Sequence, residues 1–276
     1  MQYLGGKSRI ANQISEIINK NLKNDSRFVS LFCGACSVES KVSCSNKLLN
    51  DSHYYLIKLL KAVQNGWEIP SIVTKEMYDY TKRNMDENPS LTGFIGFACG
   101  FGGKWFGGYA KNNSGTNYAL RSKNSLLKKV NGLMNANFIN DDYKNIQLQN
   151  NDVVYCDPPY ANTTDYSNSN VFNHADFWNY MRKISSITEI VFISEINAPK
   201  DFVSIWEKPL KRNLDKNKNN LFDSMERLFI HESKLKDYNQ WNVFFIRKGD
   251  FWFMTSLIGA FLLMLFGMII GGMKKK

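Results

Sequence analysis

The chain has 276 residues, 43% of them hydrophobic and 14% aromatic, with 35 lysines and arginines against 25 acidic residues and a net charge of +10. That much apolar material can bury a substantial core, which excludes an intrinsically disordered chain. A positive surplus of this size favours a polyanionic partner without demanding one, and three of the charges are the terminal Lys274, Lys275 and Lys276.

Residues 9–23 read as the first helix, with Ile10, Ile14, Ile17, Ile18 and Leu22 on one face and Ser8 available as its cap. Two buried strands follow. One is Phe28-Val29-Ser30-Leu31-Phe32, which opens into Cys33-Gly34-Ala35; the other is Leu48-Leu49, which ends at Asn50-Asp51. Residues 53–64 then return to helical spacing through Leu56, Ile57, Leu60 and Val63. This alternation predicts an α/β fold with a parallel, Rossmann-like sheet and helices on both faces. Residues 66–136 break the rhythm with Gly93-Phe94-Ile95-Gly96-Phe97, the glycine-rich stretch from Gly100 to Gly108, and Arg121, Lys123, Lys128 and Lys129. They read as an inserted, mostly helical lobe between residues 1–65 and 137–248. The sheet is expected to resume at Val153-Val154-Tyr155-Cys156, followed by a helix near residues 175–184 and strands at 190–196 and 227–231. Residues 208–220, polar and rich in lysine, read as a mobile loop.

Residues 251–273 carry no charge and are flanked by Arg247, Lys248 and the terminal lysines. A bilayer core needs roughly 20 apolar helical residues, so the run predicts a C-terminal hydrophobic helix able to cross a membrane, and Gly267 and Gly271 have the spacing of paired helices. A fused reading frame would account for the same run, and positive charge on both sides leaves orientation open. Five cysteines without disulfide-like spacing, and an N-terminus without an apolar signal core, place the rest of the chain in a reducing cytoplasm.

The strongest local signal is Asp157-Pro158-Pro159-Tyr160, directly after an apolar strand, where open α/β sheets place their sites. An aromatic amine is a poor nucleophile because its lone pair is delocalised. The Asp157 carboxylate and the Pro158 carbonyl together offer two acceptors for the amine hydrogens, stabilising charge as the nitrogen attacks a methyl group. Pro159 stiffens the turn, and Tyr160 offers a ring face to a base extruded from a duplex. The same tetrapeptide also reads as a proline-braced turn around a buried tyrosine. Upstream, Gly34 allows a cofactor to approach the backbone, and Asp51, at the end of the next strand, stands where nucleotide-binding folds hold ribose hydroxyls. Cys33 and Cys36 could belong to a redox or zinc motif, but no histidine completes a ligand set, so no metal is expected. His53, His174 and His231 are scattered and read as structural.

Taken together, Tyr3-Leu4-Gly5-Gly6-Lys7-Ser8, the loop from Phe32 to Ser37, Asn50-Asp51, Asp141-Asp142-Tyr143, Tyr155 to Tyr160 and Phe192-Ile193-Ser194-Glu195 resemble the Dam-like (D12 class, alpha-group) adenine DNA methyltransferases of bacteria and phages. The resemblance covers about residues 2–231 and implies a methyltransferase that uses S-adenosylmethionine to methylate N6 of adenine in double-stranded DNA, of the kind found in restriction-modification. By that resemblance, Tyr3 and Lys7 help hold the cofactor; Phe32, Gly34 and Ser37 meet its methionine part, Asp51 its ribose, and Asp142 and Tyr143 its adenine ring. Asp157 serves both cofactor and catalysis, the latter with Pro158, Pro159 and Tyr160. The inserted lobe becomes the target-recognition lobe.

Within the lobe, Lys104, Trp105, Tyr109, Lys111, Arg121 and Lys123 are candidate DNA contacts, with cations for phosphates and aromatic rings able to wedge a duplex. A buried role for Trp105 and Phe106 accounts for the aromatics equally well. The arginine-containing hairpin of the GATC-reading members is absent, which leaves the target sequence open. Residues 162–166 could line the base pocket, and Phe177-Trp178 reads as helix packing. Alternative functions on the same sequence are methylation of RNA adenine and a membrane-tethered nucleic-acid-binding protein with a vestigial site.

Overall fold

The computed structural model describes residues 1–112, 114–160, 172–211 and 223–242. One compact unit spans Met1–Tyr238; of a second, Asn239–Lys276, only residues 239–242 are described. The candidate base-pocket residues 162–166 and the apolar run 251–273 lie outside the described residues. Among the described residues, no helix is long and apolar enough to cross a membrane.

The described strands are β1 (Arg27–Ser30), β2 (Lys47–Asn50), β3 (Ala136–Ile139), β4 (Asp152–Cys156), β5 (Ile190–Glu195), β6 (Phe202–Lys211) and β7 (Asp223–His231). They form one sheet in the order β3-β2-β1-β4-β5-β7-β6. The first five run parallel. β7 runs antiparallel to both β5 and β6, so the expected parallel sheet is mostly parallel, with a reversed strand near this edge. The central strands are apolar in nearly every position because both faces are covered. Phe28, Leu49, Val153, Tyr155, Phe192 and Leu228 face one core cluster, which also holds Ile10, Ile14 and Ile18. Val29, Leu48, Val154, Cys156, Val191 and Ile193 face a second cluster with Phe177, Trp178 and Met181. Residues one apart in a strand thus serve opposite layers, as the pleat requires.

Helix α1 (Ala11–Lys20) is shorter than the apolar spacing suggests. Its N-cap is Ile10, without a side-chain cap bond, so Ser8 does not play the role expected of it. Helix α2 (Tyr54–Gln64) is capped by His53, whose ring nitrogen accepts from the Leu56 amide. Helices α3 (Lys75–Arg83), α4 (Pro89–Ala98) and α5 (Tyr118–Val130) occupy the stretch read as an insertion. Helix α6 (His174–Ser185) buries Phe177 and Trp178, and α7 (Leu235–Asn242) closes the described chain.

Two strands differ from the sequence reading. β3 was not anticipated: with Asn137 exposed and Ile139 half-buried, it has no apolar run to mark it. The lysine-rich stretch read as a loop in fact begins inside β6, because an edge strand needs backbone partners on one side only and tolerates Lys208 and Pro209. The remainder of that stretch, residues 212–220, lies outside the described residues.

Candidate active site

Strand order reverses around β1: β2 lies on one side of it and β4 on the other, so the connections that leave the carboxyl ends of β1 and β4 lead to opposite halves of the sheet. In doubly wound sheets this switch point is where ligands bind. The loop after β1 contains Phe32, Gly34 and Ser37, and the turn after β4 is Asp157-Pro158-Pro159-Tyr160.

Gly34 adopts a left-handed backbone (φ +48), and a Cβ there would stand 3.1 Å from the Tyr3 ring. No other residue type fits both conditions easily. The loop is anchored from β2: the Gly34 amide donates to Asp51 Oδ2 at 2.9 Å and the His53 amide to Asp51 Oδ1 at 2.9 Å. Burial pushes the Asp51 carboxyl above its ordinary range although both amides pull it down. Asn50 ties the same loop to the loop after β3, donating to the carbonyls of Leu31 and Asp141, both at 3.1 Å. There the Tyr143 ring lies 5.0 Å from Phe32, with Phe177 6.0 Å away, while Asp142 is exposed and accepts the Lys144 amide. Ser37 is turned toward α5, accepting from Lys129 Nζ at 3.1 Å.

The segment before α1 joins the two loops. Tyr3 rests against Gly34; four residues later, Lys7 reaches the Asp157–Tyr160 turn. Lys7 is buried, and its ammonium lies 2.7 Å from Asp157 Oδ1 and 3.3 Å from Glu226 Oε1. It also sits 4.4 Å from the centre of the Tyr160 ring, whose hydroxyl donates to Glu226. Burial pulls the Lys7 ammonium down, but the two carboxylates outweigh it and hold its pKa above the ordinary value. Burial pushes Asp157 the other way, and with Glu226 adding repulsion it rises to about 6 in spite of Lys7. Beneath the turn, the Tyr155 and Ser194 hydroxyls are 3.0 Å apart. The structure therefore brings Tyr3, Lys7, Gly34, Asp51, Asp157 and Tyr160 into one connected cluster, beside an aromatic slot of Phe32 and Tyr143.

Glu226 escaped the sequence reading. It lies immediately before the apolar stretch that marks the last strand, and the signal available was an acid next to Arg227-Leu228-Phe229-Ile230.

The candidate DNA contacts fall into two groups. Lys104, Lys111 and Arg121 are exposed, the last stacked 4.8 Å over Tyr118. Trp105 is half-buried among Tyr55, Phe97 and Phe106, Tyr109 donates its hydroxyl to the Val73 carbonyl at 2.7 Å, and Lys123 donates to Ser71 at 3.1 Å. The aromatic that stands outward in this loop is Phe101, 66% exposed. Cys33 and Cys36 are buried free thiols, and no cluster of three metal-ligating side chains occurs among the described residues.

The chain is 22% identical over 211 residues to the type II methyltransferase M.FokI of Planomicrobium okeanokoites, covering 67% of this chain and 32% of that protein. It is also 22% identical over 233 residues to the modification methylase StsI of Streptococcus sanguinis, covering 68% and 35% respectively. The chain thus spans about a third of the length of these relatives. Among solved structures, the tRNA methyltransferase TrmI of Aquifex aeolicus aligns over 80% of this chain and 68% of its own at 10% identity and a TM-score of 0.34. The model of the D12 class N6 adenine-specific DNA methyltransferases matches residues 3–95 and 103–190, which include the Tyr3–Lys7 segment, the glycine loop, Asp51 and the Asp157–Tyr160 turn, and the chain belongs to that family.

Proposed function

We propose that this chain methylates N6 of adenine in double-stranded DNA with S-adenosylmethionine as methyl donor. The observation that carries the reading is the buried contact of Lys7 with Asp157, which seats the catalytic turn beside the glycine loop braced by Asp51. The residues present suit the donor: a backbone cradle at Gly34 that a Cβ would crowd, a buried carboxylate at Asp51 for ribose hydroxyls, and the Phe32 and Tyr143 rings for a purine. When bound, the donor supplies an electrophilic methyl group on a sulfonium.

The chain's own groups do the rest. Asp157 and the Pro158 carbonyl accept the two hydrogens of the target amine and stabilise positive charge as it develops on nitrogen. Tyr160 gives the extruded base a ring face. Lys7 keeps the acceptor ionised and fixed, and no histidine base is required. Because the accepting form of Asp157 is the carboxylate and its pKa is raised to about 6, turnover should fall as pH drops through that value and level off above it. With labelled S-adenosylmethionine and duplex DNA, N6-methyladenine should form, and Asp157→Ala should abolish it by at least about a hundredfold. A fully active Asp157→Ala would refute the assignment.

Phosphate contacts are assigned to Lys104, Lys111 and Arg121, with Phe101 in place of Trp105 as the ring available to the duplex. The relatives' names extend the reading to site protection in a restriction-modification pair. Residues 251–273 keep their reading as a membrane anchor on a cytoplasmic catalytic domain, an idea that release of the full chain from membranes by alkaline carbonate would end.

A further inference from the structure

Lys7 is one cation shared by two buried carboxylates. Asp157 belongs to the turn that meets the substrate, whereas Glu226 comes from β7, the reversed strand next to β5, and is 5% exposed. A buried acid in a strand is costly unless its bonds are specific. Those of Glu226 are: it pairs with the Lys7 ammonium that also meets Asp157, and it accepts the Tyr160 hydroxyl.

We propose that Glu226 is a positioning residue of the methyl-transfer site, which fixes the Lys7 ammonium and the Tyr160 ring in place. Its charge also repels that of Asp157, which pushes the Asp157 carboxyl up. This role rests on the methyltransferase reading, since Asp157 and Tyr160 are the groups that act on the substrate. The geometry separates its two effects. The clamp on Tyr160 is a hydrogen bond that any carbonyl oxygen could accept, while the repulsion requires charge. Among the described residues, the other ionisable groups facing Asp157 are Lys7 from the segment before α1, Tyr160 in its own turn, Tyr155 and Cys156 in β4, and Glu39 in the loop that leads from β1 to β2. Of these, Lys7 is the cation, and it already sits closer to Asp157 than to Glu226. With the Glu226 charge removed, Lys7 would serve Asp157 alone, so both the lost repulsion and the undivided ion pair move the Asp157 midpoint the same way, downward.

The test uses the full chain and its Glu226→Gln and Glu226→Ala variants. The Asp157 carboxyl is followed by NMR with carboxyl-labelled aspartate, and the kcat–pH profile is recorded at saturating DNA and S-adenosylmethionine. In Glu226→Gln the Asp157 midpoint should move down from about 6 by on the order of one pH unit, with the acid limb of kcat moving alongside. Glu226→Ala should show the same shift and also lose about tenfold or more in plateau kcat, because the Tyr160 clamp is gone; the Gln variant should retain more of that rate. A structural role alone would lower the folded fraction and leave both midpoints where they were. An unmoved Asp157 midpoint in the Gln variant overturns the inference whether or not the chain methylates DNA. A midpoint shift in Glu226→Gln together with no methyl transfer by the wild-type chain instead fails the functional reading and leaves the electrostatic half of this one standing.

Discussion

Glu39 is 2% exposed, under the loop that carries Gly34, and accepts the Ser30 hydroxyl at 2.9 Å. Burial pushes its carboxyl up to about 7 from an ordinary 4.5. A folded-state pKa above the unfolded one means that the fold prefers the protonated acid. Its contribution to stability is therefore complete below 4.5 and is lost as pH rises through 7. Glu39→Gln keeps the shape and the acceptor for Ser30, so it should melt at a higher temperature than the wild type at pH 8, with the gap closing by pH 5. A gap of equal size at both pH values would contradict this account. Residues of this kind mark the limit of reading a site from sequence. Gly34, Asp51 and Asp157 stand out locally because each lies at the end of an apolar run or in a glycine turn, whereas Lys7 was singled out by the family resemblance alone. Glu226 and Glu39 owe their importance to burial and to partners far away in the chain, which no local pattern encodes.

Helices α2 and α4 cross so closely at Gly93 that a Cβ there would meet the Tyr55 carbonyl oxygen at 2.1 Å. Gly93→Ala sets two effects against each other. Alanine gains about 1 kcal/mol in helix propensity. Overpacking costs about 1–3 kcal/mol, and a rigid backbone carbonyl yields less than a side chain would, so the cost should win. The urea midpoint is expected to fall with an unchanged slope; a rise would mean that the helices separate freely. Elements with strong burial on both faces, such as β1, β4 and β5, were readable from their apolar runs, as was α2 from its spacing. β3 was not, because only alternate positions are buried over four residues, and β6 was missed because its polar residues suit an edge. The reversal of β7 also lay beyond sequence: hydrophobic pattern reports burial and is the same for either strand direction.

At the scale of the whole molecule, the cations behind the net charge of +10 are not equivalent. Lys104, Lys111 and Arg121 are exposed in the lobe, whereas Lys7 is committed to the active-site carboxylates and Lys129 to the glycine loop, donating to the Ala35 carbonyl as well as to Ser37. For B-DNA each neutralised phosphate contributes about 0.9 to the slope of log affinity against log salt. The Lys104→Ala, Arg121→Ala double variant should therefore reduce the magnitude of that slope by about two and leave S-adenosylmethionine affinity, measured by calorimetry, unchanged. An unaltered slope would move the duplex to another face.

The strap formed by Tyr3, Leu4 and Lys7 touches the glycine loop, the lobe through the Leu4 amide and the Gly103 carbonyl at 3.3 Å, and the catalytic turn. Three regions to which the proposed function assigns the cofactor, the duplex and methyl transfer thus share a single short mechanical link. Slack introduced there cannot stay local: cofactor affinity, duplex affinity and turnover would deteriorate in concert, even in a protein whose core is untouched.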